Sequence, residues 1–383
     1  MEFSHAQLAA DLAGLGPHEH GFSFIDHERL AHPGPPRPGR LSGWVLSAKD
    51  LNDVAGMPTT LGSAKRTYLA TETDPFIAEL EAAGADIVGK SAAPELGLRV
   101  DTEPVDLPHP DNPRYPGCTP GGSSGGAAIQ VARGLVRAAQ ASDGGGSIRV
   151  PAAACGVVGF KQSGTELGVP GFITRSVADT ALLHDLPLKT PGRWRIGVLT
   201  QPLFAGVRVA DHVLRAVAEA AAALKAAGFE VIEVSPYPHS EETFAAFTRI
   251  FSSRMAGLGP QEGYAEWVRQ LGRGFSDAEV DRAHQHAAHL PQILSGYWAV
   301  DALLTPMLAF DPPRIGAFNR LPHAENFAEQ TRWSPWGSLF NVAHLPAISL
   351  PWEVPDHPPV GVQLGGITLA DAELLALAHL LHA

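Results

Sequence analysis

Two short glycine–serine clusters, Gly121–Gly126 and Gly144–Ser147, sit inside an otherwise apolar stretch running from Pro120 to Phe160. They constrain the chain more than any other feature, because glycine lets backbone N–H groups approach a common point without a Cβ in the way. Each cluster is short and is followed by helix-forming residues, so a flexible linker is a poor reading. A phosphate-cradling loop requires a Lys directly after the glycines, and neither cluster has one. Gly121-Gly-Ser123-Ser-Gly125 formally matches the G-x-S-x-G nucleophile elbow. That elbow needs a buried strand just before it, and Arg114-Tyr-Pro-Gly-Cys-Thr-Pro120 cannot be a central strand. There remains a pair of serines on two glycine-rich turns, converging on one centre. Consecutive N–H groups of Gly144, Gly145, Gly146 and Ser147 are then placed to hold a developing oxyanion.

Around these turns, helix-like and strand-like segments alternate. Trp44–Ala48 reads as a short strand ending at Lys49. Asp74 to Gly84 is an amphipathic helix closed by glycine, followed by a strand over Ala85–Gly89. The same helix–glycine–strand unit recurs over 210–236. Further strands are expected at 300–304, 347–350 and 360–364, then a closing helix. This alternation predicts an α/β fold, a β-sheet core covered by helices on both faces. Residues 240–294 read as helical only, an insertion or cap on a single domain spanning 1–383.

The 383 residues are 45% hydrophobic and 18% charged, an ordinary globular balance, and the 40 glycines and 33 prolines follow no fibrous period. The net charge of −12 disfavours nucleic acid and anionic lipid as partners. Cys118 and Cys155 make no disulfide framework or zinc motif, and His18-Glu-His20 lacks a third ligand at suitable spacing, so neither a metal nor another cofactor is expected. The first sixteen residues lack a basic start and apolar run, and no stretch approaches 18 uncharged apolar residues. The expectation is a cytoplasmic protein.

The two clusters, read as Pro120–Gly126 and Asp143–Ala152, resemble the diagnostic stretches of the amidase signature family of serine hydrolases. Ser123 and Ser147 lie 147 − 123 = 24 positions apart, matching that family's spacing. Ala48–Thr60 resembles the segment bearing its catalytic lysine, and Leu345–Pro351 with Pro359–Leu364 resembles its closing strands. The resemblance implies a large mixed sheet and a Ser–Ser–Lys triad. Ser147 would be the nucleophile, forming an acyl-enzyme with an amide or ester. Ser123, next to a cis peptide in this family, would relay the proton, and Lys49 would be the base. A lone lysine after a strand is ordinarily a surface charge; as a base it must be buried so that its charge is disfavoured. Ser124, Asp143 and Arg149 are expected to brace the loops, and Lys90 to stay outside the chemistry.

Two departures from the family pattern stand out. The stretch 162–174, normally longer and near the site, is abbreviated, which leaves pocket shape open. Asn341-Val-Ala-His344-Leu345 carries His and Leu where Gly and Gln are common. Trp333 and Trp336 are candidates for an acyl pocket, although core packing is the more usual role for such residues. The expected partner is a small amide substrate, with the protein a monomer or homodimer. The A-type subunit of a tRNA-dependent amidotransferase and a catalytically inactive relative are the alternatives.

Overall fold

The computed structural model describes residues 3–382. An eight-stranded mixed sheet forms its centre. Its strands run in the spatial order Glu230–Glu233, Arg195–Val198, Ala302–Pro306, His357–Gly366, Ala347–Val354, Val158–Lys161, Val169–Thr174 and Ala138–Asp143. Parallel pairing is confined to the first three strands, where the helix Asp211–Ala226 makes the crossover between Arg195–Val198 and Glu230–Glu233. The remaining neighbours are antiparallel. The alternation predicted from sequence is therefore present, and the sheet is mixed and flanked by helices.

The strand expected at 44–48 is Val45–Lys49, all five residues buried. It belongs to a separate three-stranded sheet, parallel to Asp86–Ser91, which pairs antiparallel with Phe22–Ile25. Among the described residues no ladder joins this sheet to the large one. The link is made by side chains: buried apolar clusters run across both sheets, the Gln140 amide oxygen accepts from Lys49 N at 2.7 Å, and Ser47 Oγ donates to Gln130 of the helix Gly125–Ala132. A strand edge that stops short of a partner's ladder satisfies its buried N–H through such a side chain.

Both glycine–serine clusters lead into short helices, Gly125–Ala132 and Arg149–Cys155. Nearly every residue of these helices is buried, because Ala, Gly and Val let helix backbones pack closely against the sheet. Arg149–Cys155 ends on Gly156 in the left-handed conformation (φ 68°), the usual helix stop. Between residues 240 and 298 the chain forms three helices, Ser240–Ala256, Gly263–Arg273 and Asp277–Trp298. The last begins with a capping box of Ser276 and Glu279 and runs four residues past the expected limit of 294. Among the described residues no helix is long and apolar enough to cross a membrane.

Candidate active site

The strand Ala138–Asp143 runs into the second glycine turn, and the end of Val45–Lys49 lies against it. Lys49, Ser123 and Ser142 consequently meet. Lys49 Nζ donates to Ser123 Oγ at 2.7 Å and to Ser142 Oγ at 3.0 Å, with Ser142 O at 3.4 Å. The Gly122–Ser123 peptide is cis. Ser147 opens onto the same cavity as Ser123 and Ser142. Its hydroxyl makes no hydrogen bond among the described residues; its carbonyl accepts from Ser124 N at 3.2 Å, which ties the two glycine turns together. Ser124 Oγ adds a second tie, to Ser142 O at 3.3 Å. Ser142 was missed by sequence reasoning, since a serine near a strand end carries no pattern of its own.

Lys49 is wholly buried, and burial pushes its pKa down to about 7 against the opposing pull of Asp143. Its ammonium is thus in balance with the free amine near neutrality. The neighbouring Asp50 is also buried, but its carboxylate turns away. It accepts from Thr60 N at 3.1 Å and from Lys90 Nζ at 3.4 Å, and Lys90 donates to Thr59 as well. Lys161 is a third buried lysine, lowered to about 7 by burial and then by Arg149, and it donates to the Gln162 carbonyl. Of the three, Lys49 is the one whose amine reaches hydroxyls lining the cavity.

Asp143 organises the second turn. One carboxylate oxygen accepts from Gly146 N at 2.7 Å, Asn341 Nδ2 at 2.9 Å and Arg149 Nη2 at 3.0 Å. The other accepts from Arg149 Nε at 3.0 Å and Ile148 N at 3.1 Å. Burial alone would raise this carboxyl, yet the Arg149 guanidinium and the Asn341 amide hold it well below the usual carboxylate range. Arg149, itself fully buried, also reaches Gln363 at 2.6 Å and Asn341 at 2.7 Å. Ser124, Asp143 and Arg149, named from sequence as loop-bracing residues, are the side chains that make these contacts.

This arrangement corrects one part of the sequence reading. The N–H of Gly146, expected in the oxyanion hole, is spent on the Asp143 carboxylate, because φ of 116° folds the turn back over that side chain. Among the described residues the N–H groups of Gly144, Gly145 and Ser147 have no hydrogen-bond acceptor. Gly145 is required for a separate reason: a Cβ there would stand 2.9 Å from the Phe247 ring.

Phe247 belongs to the helix Ser240–Ala256, which closes the site. With Phe244 and Phe251 it forms a stack with ring centroids 5.9 and 5.5 Å apart, and Phe244 also stacks on Phe327 at 6.0 Å. These rings, with Leu96, Leu98 and Met255, line a cavity of about 280 Å³ together with Ser123, Ser142, Gly144, Gly145 and Ser147 and the polar side chains of Arg99, Arg254 and Gln330. From the stretch 162–174, Leu167 and Gly168 join the cavity lining, as does Arg254, which lies 3.4 Å from Glu166. Trp333 and Trp336 are fully buried away from the cavity, their indole N–H groups on Phe310 O and Gln201 O. His18 and His20 are engaged locally, with His109 O and Phe22 N.

The amidase family model matches residues 26–190 and 186–375. The chain belongs to the amidase signature family. It is 35% identical over 377 residues to the family protein AmiB2 of Mycobacterium tuberculosis, covering 88% of this chain and 81% of that one. It is also 30% identical over 414 residues to the A component of the glutamyl-tRNA(Gln) amidotransferase of Deinococcus radiodurans, at 90% and 84% coverage. The solved structure of 6-aminohexanoate cyclic dimer hydrolase with substrate superposes with a TM-score of 0.85 over 98% of this chain and 92% of that one. At 24% identity, that likeness speaks for the amidase signature fold.

Proposed function

We propose that this amidase signature protein hydrolyses carboxylic amides with an apolar acyl group through an acyl-enzyme on Ser147. The observation that carries the reading is the buried Lys49 amine, with a pKa near 7, bonded to Ser123 beside the cavity that Ser147 lines. In this scheme Ser147 Oγ attacks the amide carbon. Its proton passes to Ser123 Oγ as the Ser123 proton passes to Lys49 Nζ. The tetrahedral oxyanion is received by the unengaged N–H groups of Gly144, Gly145 and Ser147; one such donor is typically worth about 10²–10³ in rate. Collapse breaks the C–N bond, and the proton on Lys49 returns through Ser123 to the departing amine. Water then cleaves the acyl ester by the same relay. The scheme requires a Ser147–Ser123 hydrogen bond that closes in the substrate complex, as catalytic bonds commonly do.

The phenylalanine wall supports an apolar acyl group, whereas a glutamine side chain would present polar atoms to Phe244, Phe247 and Phe251. This favours amide hydrolysis over an amidotransferase role of the kind named for the Deinococcus relative. Intact mass after fluorophosphonate treatment tests the proposal. Wild type should gain one adduct, Ser147→Ala none, and Lys49→Ala one at a much reduced rate. Equal labelling of folded Ser147→Ala and wild type would refute it.

A further inference from the structure

Well away from the serine cluster, three residues distant in sequence bring metal-ligating atoms together. His212 stands in the first turn of Asp211–Ala226, Asp311 follows the strand Ala302–Pro306, and His357 opens the strand His357–Gly366. His212 Nε2 lies 3.0 Å from Asp311 Oδ1, and His357 Nε2 lies 3.3 Å from the same oxygen. All three ligating atoms fall within 4.8 Å of one another, and the imidazole rings face each other at 4.2 Å. None of the three lines the cavity of the serine cluster. We propose that His212, Asp311 and His357 form a binding site for a divalent ion of the zinc class, held by two imidazole Nε2 atoms and one carboxylate oxygen, with water completing the shell.

The donor set is right for such an ion. Two imidazoles and a carboxylate suit zinc and its first-row neighbours, whereas calcium and magnesium take all-oxygen shells. The spacing fits too. Bonds of about 2.0–2.2 Å in a tetrahedron place ligand atoms roughly 3.3 Å apart, close to the two separations observed. Two neutral imidazoles and one carboxylate also leave the site with a net negative charge for a cation to offset.

The hydrogen bonding around His357 carries the inference further. Its Nδ1 lies 2.7 Å from the Pro358 carbonyl, which can only accept, so Nδ1 bears a proton. A neutral ring has one proton. In that neutral ring Nε2 presents a lone pair toward Asp311, where a metal ion can be held. Ligating histidines typically anchor the opposite ring nitrogen on a backbone carbonyl in this way, which fixes tautomer and orientation. Tyr115 supports the other side, donating to Asp311 Oδ1 at 3.3 Å with its ring set edge-on to His357. The side chains of His212 and His357 are 24% and 20% exposed and that of Asp311 46%, so an ion has access from solvent. Bound there, it would tie a helix start, a loop and a hairpin turn into one unit.

A second proton on His357 is the competing arrangement, and the experiment separates the two. Tag-free full-length protein, stripped by chelator and dialysed, is titrated with zinc chloride at mildly alkaline pH. The expected result is saturable uptake of one ion per chain, with a thermal midpoint raised by a few degrees. Cobalt(II) in the same site should give visible absorption bands of a low-coordinate ion. Asp311→Asn and His357→Ala should each weaken binding by about tenfold or more, and His212→Gln serves if either fails to fold. Folding of the metal-free variants is read from far-UV circular dichroism, and fluorophosphonate labelling should be unchanged. Uptake that does not saturate near one equivalent, or uptake equal in the folded variants, would overturn the metal site and leave an imidazolium–carboxylate cluster.

Discussion

Replacing Lys49 by Met should make the protein more stable near neutral pH while removing its chemistry, and the gain should shrink as pH rises. Folding takes this amine from a pKa of 10.5 to about 7. Above its ordinary pKa the lysine is neutral in both states and burial of the amine carries no ionisation cost. As pH falls from there toward 7, the unfolded chain takes up a proton that the folded chain refuses, so the cost grows and then levels off below about 7. At about 1.4 kcal/mol per pH unit, the cost is about 4 kcal/mol near pH 7 and about 2 kcal/mol near pH 9. Methionine fills a similar volume and carries no charge. It forfeits the bonds to Ser123 and Ser142, about 1 kcal/mol each. The variant should therefore be about 2 kcal/mol more stable than wild type near pH 7, with the advantage vanishing near pH 9. Lys161 is shifted in the same direction in both proteins and cancels from the difference. Urea unfolding of both proteins at the two pH values, followed by circular dichroism, measures it. A stability difference that stays constant with pH, or a variant less stable than wild type near neutrality, would refute the reasoning that burial lowers the Lys49 pKa to about 7.

Arg149→Met should cost about 3–5 kcal/mol in urea unfolding, because it strands the buried Asp143 carboxylate without its cation. A loss below about 1 kcal/mol would mean that Asn341 and the turn N–H groups suffice to hold that charge. At residue 344, where φ is 56°, the glycine variant should exceed the alanine variant in stability by about 1 kcal/mol. Equal thermal midpoints for His344→Gly and His344→Ala would contradict this.

The left-handed turn at His344 is a backbone that suits glycine, as the resemblance led one to expect, and the histidine standing there rests its Nδ1 against Glu166 O at 3.3 Å. Local patterns of this kind were legible. The helices Asp211–Ala226 and Asp371–Leu381 follow from their spacing of apolar residues, and the strand Val45–Lys49 from its apolar run. The two glycine turns and their serines were legible because glycine clusters followed by helix formers have few other uses. What sequence could not supply depends on partners far along the chain. Phe247 lies about a hundred residues from Gly145, yet fixes why that position has no side chain. Arg149 finds Asn341 and Gln363 roughly two hundred residues away. The Gly146 N–H was misassigned because only the folded turn reveals that Asp143 reaches it first.

The separation between the two sheets has a consequence for how this protein gains and loses competence. Lys49 arrives with a small sheet built from residues 22–91, a nearly local unit, whereas Ser142 and the second glycine turn belong to a sheet whose strands span 138–366. Gln140 bridges them directly, and Gln130 of the helix Gly125–Ala132 holds the small sheet from the side. Two apolar clusters also run across both sheets, joining Leu46, Ala48 and Ile87 to Ala138 and Phe172, and Phe22, Val45 and Val88 to Ala139, Ala141 and Ile173, so on the proposed mechanism the relay exists only while this shared core stays closed. Heat or denaturant that opens this shared seam would extinguish turnover in the same step, making activity a gauge of how the two sheets are docked.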